Sequence, residues 1–225
     1  MSWDSWIRTV EVEPSLYAAD FSRLGEQIES LLQAGTRIFH FDIGDGHFVE
    51  PITMGPIVLQ SIAPLVHERG GVFDCHLMIE RPDRHFGALE KAGADSVTFH
   101  LEAVGDPPAV AAQARAHGFQ VGLAIKPETP VDDAIAVAKE FDLVLCMSID
   151  PGYSGQEFMP EALDRLRALR DALPEGVHLQ VDGGITAENI GSVHEAGADL
   201  IVSATAIFGT EDLSLAYGRL VQQLA

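Results

Sequence analysis

Four side chains in this sequence have the types and spacing to hold a divalent cation and to move protons. His40 and Asp42 stand two apart in His40-Phe41-Asp42, so on an extended strand both point to the same face. His76 lies near the end of a second apolar run, and Asp182 directly follows a third, before Gly183 and Gly184. Imidazole nitrogens and carboxylate oxygens are donors that divalent transition metals accept, and two carboxylates can also serve as base and acid. Each residue alone has a plainer reading. A strand-end histidine such as His76 can be a hydrogen-bonded core group, and Asp182 can be turn chemistry. The set is stronger than its members, because four such groups at three strand ends are hard to satisfy in a core without a cation. The other histidines, His47, His67, His85, His100, His117, His178 and His194, receive no ligand role.

The elements that must position these residues follow from hydrophobic periodicity. Short apolar runs recur at residues 9–16, 37–43, 72–79, 96–101, 120–125, 143–149, 178–181 and 199–203. Most are nearly continuous in Val, Ile, Leu and Phe, as strands buried on both faces should be. Between them lie helical patterns, with Phe21, Leu24, Ile28 and Leu31, and again Leu163, Leu166, Leu169 and Leu173, at spacings of three to four. Thr129-Pro130 with Asp132 reads as an N-cap, a first-turn proline and an acid facing the helix dipole. Ala34-Gly35, Ala92-Gly93, His117-Gly118 and Ala196-Gly197 each read as a helix stop before the next strand. The tetrad Ala-Gly-Ala-Asp occurs twice at matching places, at 92–95 and 196–199.

Eight strand–helix units in 225 residues, with no break in composition, predict one domain over residues 1–225. Strict βα alternation means a parallel sheet with right-handed crossovers, and eight units most simply close into a (β/α)8 TIM barrel. A doubly wound open sheet is the alternative. It usually carries a glycine-rich turn after its first strand, and residues 15–20 contain no glycine. In a barrel, chemistry sits at the C-terminal ends of the strands, where His40, Asp42, His76 and Asp182 all fall. Barrels often grip phosphate with backbone N–H groups after strands seven and eight. Asp182-Gly183-Gly184 and Ser203-Ala204-Thr205 occupy those places, ahead of helices expected near Thr186 and Asp212. Pro151-Gly152-Tyr153-Ser154-Gly155-Gln156 is the longest polar, glycine-containing loop, suited either to close over a ligand or to be an ordinary turn.

Composition narrows the partners. Acidic residues number 34 against 14 basic ones, for a formal net charge of −20, and the only lysines are Lys91, Lys126 and Lys139. Without a basic stripe to face phosphates, nucleic-acid binding is disfavoured. Apolar runs such as 143–147 fall far short of the roughly 18 residues a membrane span needs, and residues 1–14 show no secretory signal. A cytoplasmic enzyme with no membrane partner is expected. Cys75 and Cys146 sit in apolar strands and read as reduced core thiols. The large negative charge suits a salt-rich cytoplasm, where screening relieves self-repulsion. Trp3, Trp6 and Ile7 form an apolar patch fit to cover the barrel bottom or to meet a partner.

Several segments, taken in order, resemble the ribulose-phosphate 3-epimerase family over nearly the whole chain. They are Pro14-Ser15-Leu16 with Asp20-Phe21, the stretch from His40 through Asp45-Gly46-His47 to Val49, and Asp74-Cys75-His76-Leu77-Met78. Met147-Ser148 through Gly155-Gln156 and Val181-Asp182-Gly183-Gly184-Ile185 continue the series. The family is a metal-dependent, phosphate-binding barrel that inverts C3 of a ketose phosphate. A related decarboxylase and aldolase group carries an Asp-x-Lys-x-x-Asp cluster on strand three, and residues 73–78 here contain no lysine.

The resemblance implies His40, Asp42, His76 and Asp182 as ligands of one divalent ion, with zinc, manganese or iron each suitable because no redox step is needed. It implies Asp42 and Asp182 as the acid–base pair flanking a planar cis-enediolate. Substrate and phosphate would be held by Ser15, His76, Gly152, Tyr153, Ser154, Gly155, Gly183, Gly184, Ala204 and Thr205. Ribulose 5-phosphate, in pentose-phosphate metabolism, and a homo-oligomer are the expectations. Departures from the family pattern bear on the pocket: Gly44 replaces a Met, Glu50-Pro51 replace Pro-Asn, and Tyr153-Ser154-Gly155 replace Phe-Gly-Gly. Ala204-Thr205 replace Gly-Ser, and Ile125-Lys126-Pro127 replace Leu-Asn-Pro. Losing the Met is expected to enlarge the pocket, and Lys126 to offer a charge. Another ketose phosphate, such as allulose 6-phosphate or a tetrulose phosphate, therefore stays open, as does a non-catalytic sugar-phosphate-binding barrel.

Overall fold

The computed structural model describes residues 2–224, so Met1 and Ala225, which bound the expected domain, lie outside the described residues. Eight strands form the frame: β1 (Glu11–Pro14), β2 (Ile38–Gly44), β3 (Val72–Met78), β4 (Ser96–His100), β5 (Gln120–Ile125), β6 (Leu143–Met147), β7 (His178–Asp182) and β8 (Leu200–Ser203). All neighbours pair in parallel, in the order β1-β8-β7-β6-β5-β4-β3-β2, and a parallel bridge between Ser15 and His40 joins the last edge to the first. The result is the TIM barrel that the alternation predicts, and the open sheet is excluded.

Around the strands run the helices α1 (Trp3–Trp6), α2 (Leu24–Gln33), α3 (Pro56–His67), α4 (Phe86–Ala92), α5 (Pro107–Ala116), α6 (Val131–Ile135), α7 (Ala162–Ala172), α8 (Ile190–Glu195), α9 (Thr205–Phe208) and α10 (Leu213–Gln222). Gly35, Gly93, Gly118 and Gly197 stop helices with φ between 88° and 110°, a backbone state that a side chain disfavours. One start signal fails. Thr129 does not cap α6: its hydroxyl donates to Glu102 instead, and Pro130 occupies the N-cap position. The short α9 also escapes periodicity, because four residues complete barely one turn.

Strand alternation sorts the core into two layers. Phe39, Phe41, Phe73, Cys75, Val97 and Phe99 pack outward on helix residues such as Ile28, Leu59 and Leu89. Ile38, Val72, Leu143 and Leu200 form a separate inner cluster with Trp3 and Trp6. The two tryptophans meet edge to face at 4.9 Å and are buried, so α1 covers the barrel floor. Both cysteines are free and buried. The repeated Ala-Gly-Ala-Asp tetrad also finds its reason. Asp95 accepts the Phe73 N–H at 2.8 Å and Asp199 accepts the Leu179 N–H at 2.9 Å. Asp142 does the same for Val121 at 2.8 Å, so each acid ties the base of one strand to its neighbour.

Candidate active site

Alternation along β2 and β3 aims His40, Asp42, Asp74 and His76 into the barrel, with His40 registered on Asp74 and Asp42 on His76. Asp182 joins them from β7. His76 Nδ1 lies 2.9 Å from Asp42 Oδ1 and 3.9 Å from Asp182 Oδ2. His40 Nε2 lies 3.3 Å from Asp42 Oδ1 and 3.9 Å from Asp182 Oδ2. Donors held at about 2.0–2.2 Å from one ion in a tetrahedron stand roughly 3.3–3.6 Å apart, a value that these separations of 2.9–3.9 Å bracket. His40 Nε2 is buried and lacks a hydrogen-bond partner, since its approach to Asp42 is poorly directed. An orphaned nitrogen aimed at two carboxylates is what a cation ligand requires. The residues therefore fit a divalent ion.

Beneath the quartet lies a buried polar layer to which the sequence reading assigned no role. Asp74 Oδ2 accepts from the Gln180 amide at 2.8 Å and lies 3.1 Å from His40 Nδ1. Ser96 donates to the other Asp74 oxygen at 2.7 Å, and Gln180 also reaches Glu13 at 2.7 Å. A carboxylate only accepts, so His40 Nδ1 carries a hydrogen and Nε2 is the nitrogen left to face the ion. Burial opposes a second proton on the ring, but the Asp42, Asp74 and Glu13 carboxylates outweigh it and raise the imidazole well above its ordinary range, so an ion at Nε2 would displace that proton. A signal was present: Asp74-Cys75-His76 has the same two-residue spacing as His40-Phe41-Asp42. Nor was His100 given a role. It is wholly buried, with Nε2 at 2.9 Å from His76 Nε2.

Electrostatics divide the two cavity-facing aspartates. Burial works to raise Asp42, but the His40 and His76 imidazoles outweigh it and hold the carboxyl below its ordinary range. Asp182 is pushed up to about 6, first by burial and then by the Asp42 charge. Burial likewise lifts Glu13 to about 7. Two neighbouring carboxyls with opposite shifts are suited to opposite protonation states. A bound cation would favour the ionised form of both.

Asp42 and Asp182 face one cavity. Ser15, Gly152, Tyr153, Ser154, Gly155, Gly183, Gly184, Ala204 and Thr205 share its lining, so nine of the ten expected substrate-contacting positions converge there. His76, the tenth, is fully buried and lies outside that lining, as does His40. Ser15 donates to Asp42 Oδ2 at 2.6 Å, leaving the other oxygen to the imidazoles.

The pocket departures behave differently from expectation. A side chain at Gly44 would meet Pro51 O at 2.9 Å and Val49 Cγ2 at 3.0 Å, so the β2 loop fills the space and the cavity gains nothing there. Lys126 Nζ sits 4.4 Å above the Phe48 ring and is not part of the cavity lining. Glu50 and Tyr153, both departures, meet each other through a 2.9 Å hydrogen bond that ties the β2 loop to the β6 loop.

The chain is similar in sequence and in fold to several known proteins. A ribulose-phosphate 3-epimerase from Candida glabrata is 40% identical over 214 residues, covering 89% of this chain and 87% of its own. Ribulose-phosphate 3-epimerase 1 of Cupriavidus necator is 38% identical over 224 residues, covering 96% and 92%. In fold, the 3-hexulose-6-phosphate synthase of Salmonella typhimurium superposes with a TM-score of 0.73 at 15% identity, over 96% of this chain and 98% of that one. Residues 11–208 match the profile of the Ribulose-phosphate 3 epimerase family, and the chain belongs to that family.

Proposed function

We propose that this protein is a metal-dependent ketose-phosphate 3-epimerase, converting D-ribulose 5-phosphate and D-xylulose 5-phosphate into one another. The observation that carries this reading is the pair Asp42 and Asp182, rising from β2 and β7 and facing one cavity beside two buried imidazoles. Family membership and the relatives' names support it. One aspartate takes the C3 proton from one face, and the electron pair moves toward the C2 carbonyl oxygen. The other aspartate delivers a proton to the opposite face of the planar cis-enediolate as the carbonyl re-forms. Asp42, held ionised, suits the base, Asp182 suits the acid, and the roles exchange in reverse.

His40, Asp42, His76 and Asp182 would hold the ion, whose chemistry when bound is to offset negative charge developing on the substrate oxygens. Zinc, manganese and iron are all compatible with this donor set. Ser15 donates to Asp42 Oδ2 and so orients the carboxylate. Gly183, Gly184, Ala204 and Thr205 line the cavity wall where backbone groups would receive the phosphate, and Gly152 to Gly155 would close its rim. No helix among the described residues is long and apolar enough to cross a membrane. A single-domain, cytoplasmic homo-oligomer working in pentose-phosphate metabolism completes the reading.

A ketose phosphate of another chain length is the second reading, motivated by the departures Tyr153, Ser154, Ala204 and Thr205 in the cavity lining. The decisive experiment is proton NMR of ribulose 5-phosphate in D₂O with metal-loaded protein. Deuterium uptake at C3 with formation of xylulose 5-phosphate is expected, and chelation should stop both. Bound metal without exchange would overturn the pentose substrate and redirect the search to other ketose phosphates.

A further inference from the structure

We propose that Glu102, outside the cation cluster, sets which ring nitrogen of His76 is free to bind the ion, acting through His100. The inference rests on the cation reading above. His76 turns Nδ1 to the cluster, 2.9 Å from Asp42, and its far nitrogen Nε2 lies 2.9 Å from His100 Nε2. Two ring nitrogens at that distance share one hydrogen, with one ring donating and the other accepting. Which ring donates is decided at the other edge of His100, where Nδ1 lies 3.2 Å from Glu102 Oε2.

A carboxylate only accepts, so His100 Nδ1 carries hydrogen and neutral His100 has a bare Nε2. His76 Nε2 must then carry the shared hydrogen, and once the ion displaces the hydrogen that Nδ1 gives Asp42, a neutral His76 presents the lone pair of Nδ1 to it. Glu102 is itself anchored, since its Oε1 accepts the Lys126 N–H at 2.9 Å and the Thr129 hydroxyl. That anchoring explains why Thr129 is not free to cap α6. The two imidazoles of the site are thus ordered in parallel. His40 is ordered directly by Asp74, and His76 by Glu102 through a second, fully buried imidazole. Glu102 is a positioning residue and touches neither ion nor substrate.

Glu102→Gln should invert the chain rather than merely weaken it. Two donors converge on Oε1, so the amide oxygen takes that place and the NH₂ turns toward His100. Nδ1 of His100 must then be bare, its Nε2 protonated, and His76 is left with hydrogen on Nδ1, against the ion.

The test is long-range ¹H–¹⁵N NMR of protein with ¹⁵N-labelled histidine, zinc-free and zinc-loaded, with zinc affinity measured by chelator competition. His100 should show Nδ1–H with bare Nε2 in both states, and His76 should show Nε2–H when zinc is bound. Glu102→Gln should reverse the His100 pattern and weaken zinc about 10–100-fold. Wild-type protein that binds zinc with His100 protonated at Nε2 would sink the Glu102 inference alone. So would a folded variant with unchanged zinc affinity. If the variant does not fold, the wild-type spectra decide. Wild-type protein that binds no divalent ion would instead overturn the cation reading, and the role of Glu102 with it.

Discussion

Replacing Asp182 by Asn separates proton transfer from folding, because the structure assigns the two roles opposite signs. The side chain keeps 16% of its surface exposed and stands 3.9 Å from both imidazoles, too far for a hydrogen bond. Its rise from an ordinary 3.8 to about 6 is, at 1.36 kcal/mol per pKa unit, roughly 3 kcal/mol of strain in the ionised, metal-free fold. Because the folded pKa is the higher one, Asp182 stabilises relatively at low pH, and that contribution is lost as pH rises from 3.8 through about 6. The neutral amide should therefore stabilise metal-free protein at pH 8 by up to about 3 kcal/mol in urea unfolding. Epimerisation, by contrast, should fall at least about 10²–10⁴-fold, or about 3–5 kcal/mol of barrier. Asp42 remains able to remove and return a proton on its own face. Asp182→Asn should thus exchange the C3 hydrogen of one epimer with D₂O without inverting it, and Asp42→Asn should do so for the other epimer. Exchange of both epimers by one variant, or epimerisation within tenfold of wild type, would refute the two-face assignment.

Three further outcomes follow from separate features. Glu13 is lifted to about 7, so its relative stabilisation is lost as pH rises from 4.5 through about 7. Glu13→Gln should match wild type near pH 5 and exceed it by up to about 3 kcal/mol at pH 8, read as the difference of urea midpoints in metal-free protein. Gly183 has φ of 124°, and an added Cβ would meet Ile149 Cγ1 at 2.4 Å, so Gly183→Ala should cost about 2–4 kcal/mol. Its Tm should drop by roughly 4–16 °C, with a raised KM in whatever protein remains folded. A net charge of −20 predicts a thermal midpoint that climbs between about 0.01 and 1 M salt, as the screening length shrinks from roughly 30 to 3 Å. A flat midpoint would remove self-repulsion as a significant force in this fold.

Much of this protein was legible in the chain because its signals are local. Buried parallel strands need continuous apolar runs, and a glycine after each of four helices takes a positive φ that other residues resist. Those two rules placed the strands to within a few residues and implied closure into a barrel. Strand alternation then put His40 and Asp42 on one face, and barrel geometry put Asp182 near them. The core thiols, and the floor made by Trp3 and Trp6, follow from the same pattern of burial.

Contacts between distant segments were decided only by the tertiary structure. Asp74 meets His40 across 34 residues of chain, and which His40 nitrogen stays free depends on that meeting. The partnership of His76 with His100 rests on the register of β3 against β4, which no spacing within either strand records. Glu50 and Tyr153 stand 103 residues apart and look like unrelated departures until two loops dock. The missing Met at Gly44 reads as added space, yet the loop carrying Val49 and Pro51 packs into it. A sequence specifies short-range dihedral and burial preferences directly. Register, loop docking and the hydrogen order of buried rings arise from packing many segments at once, and they set the shape and protonation of the site.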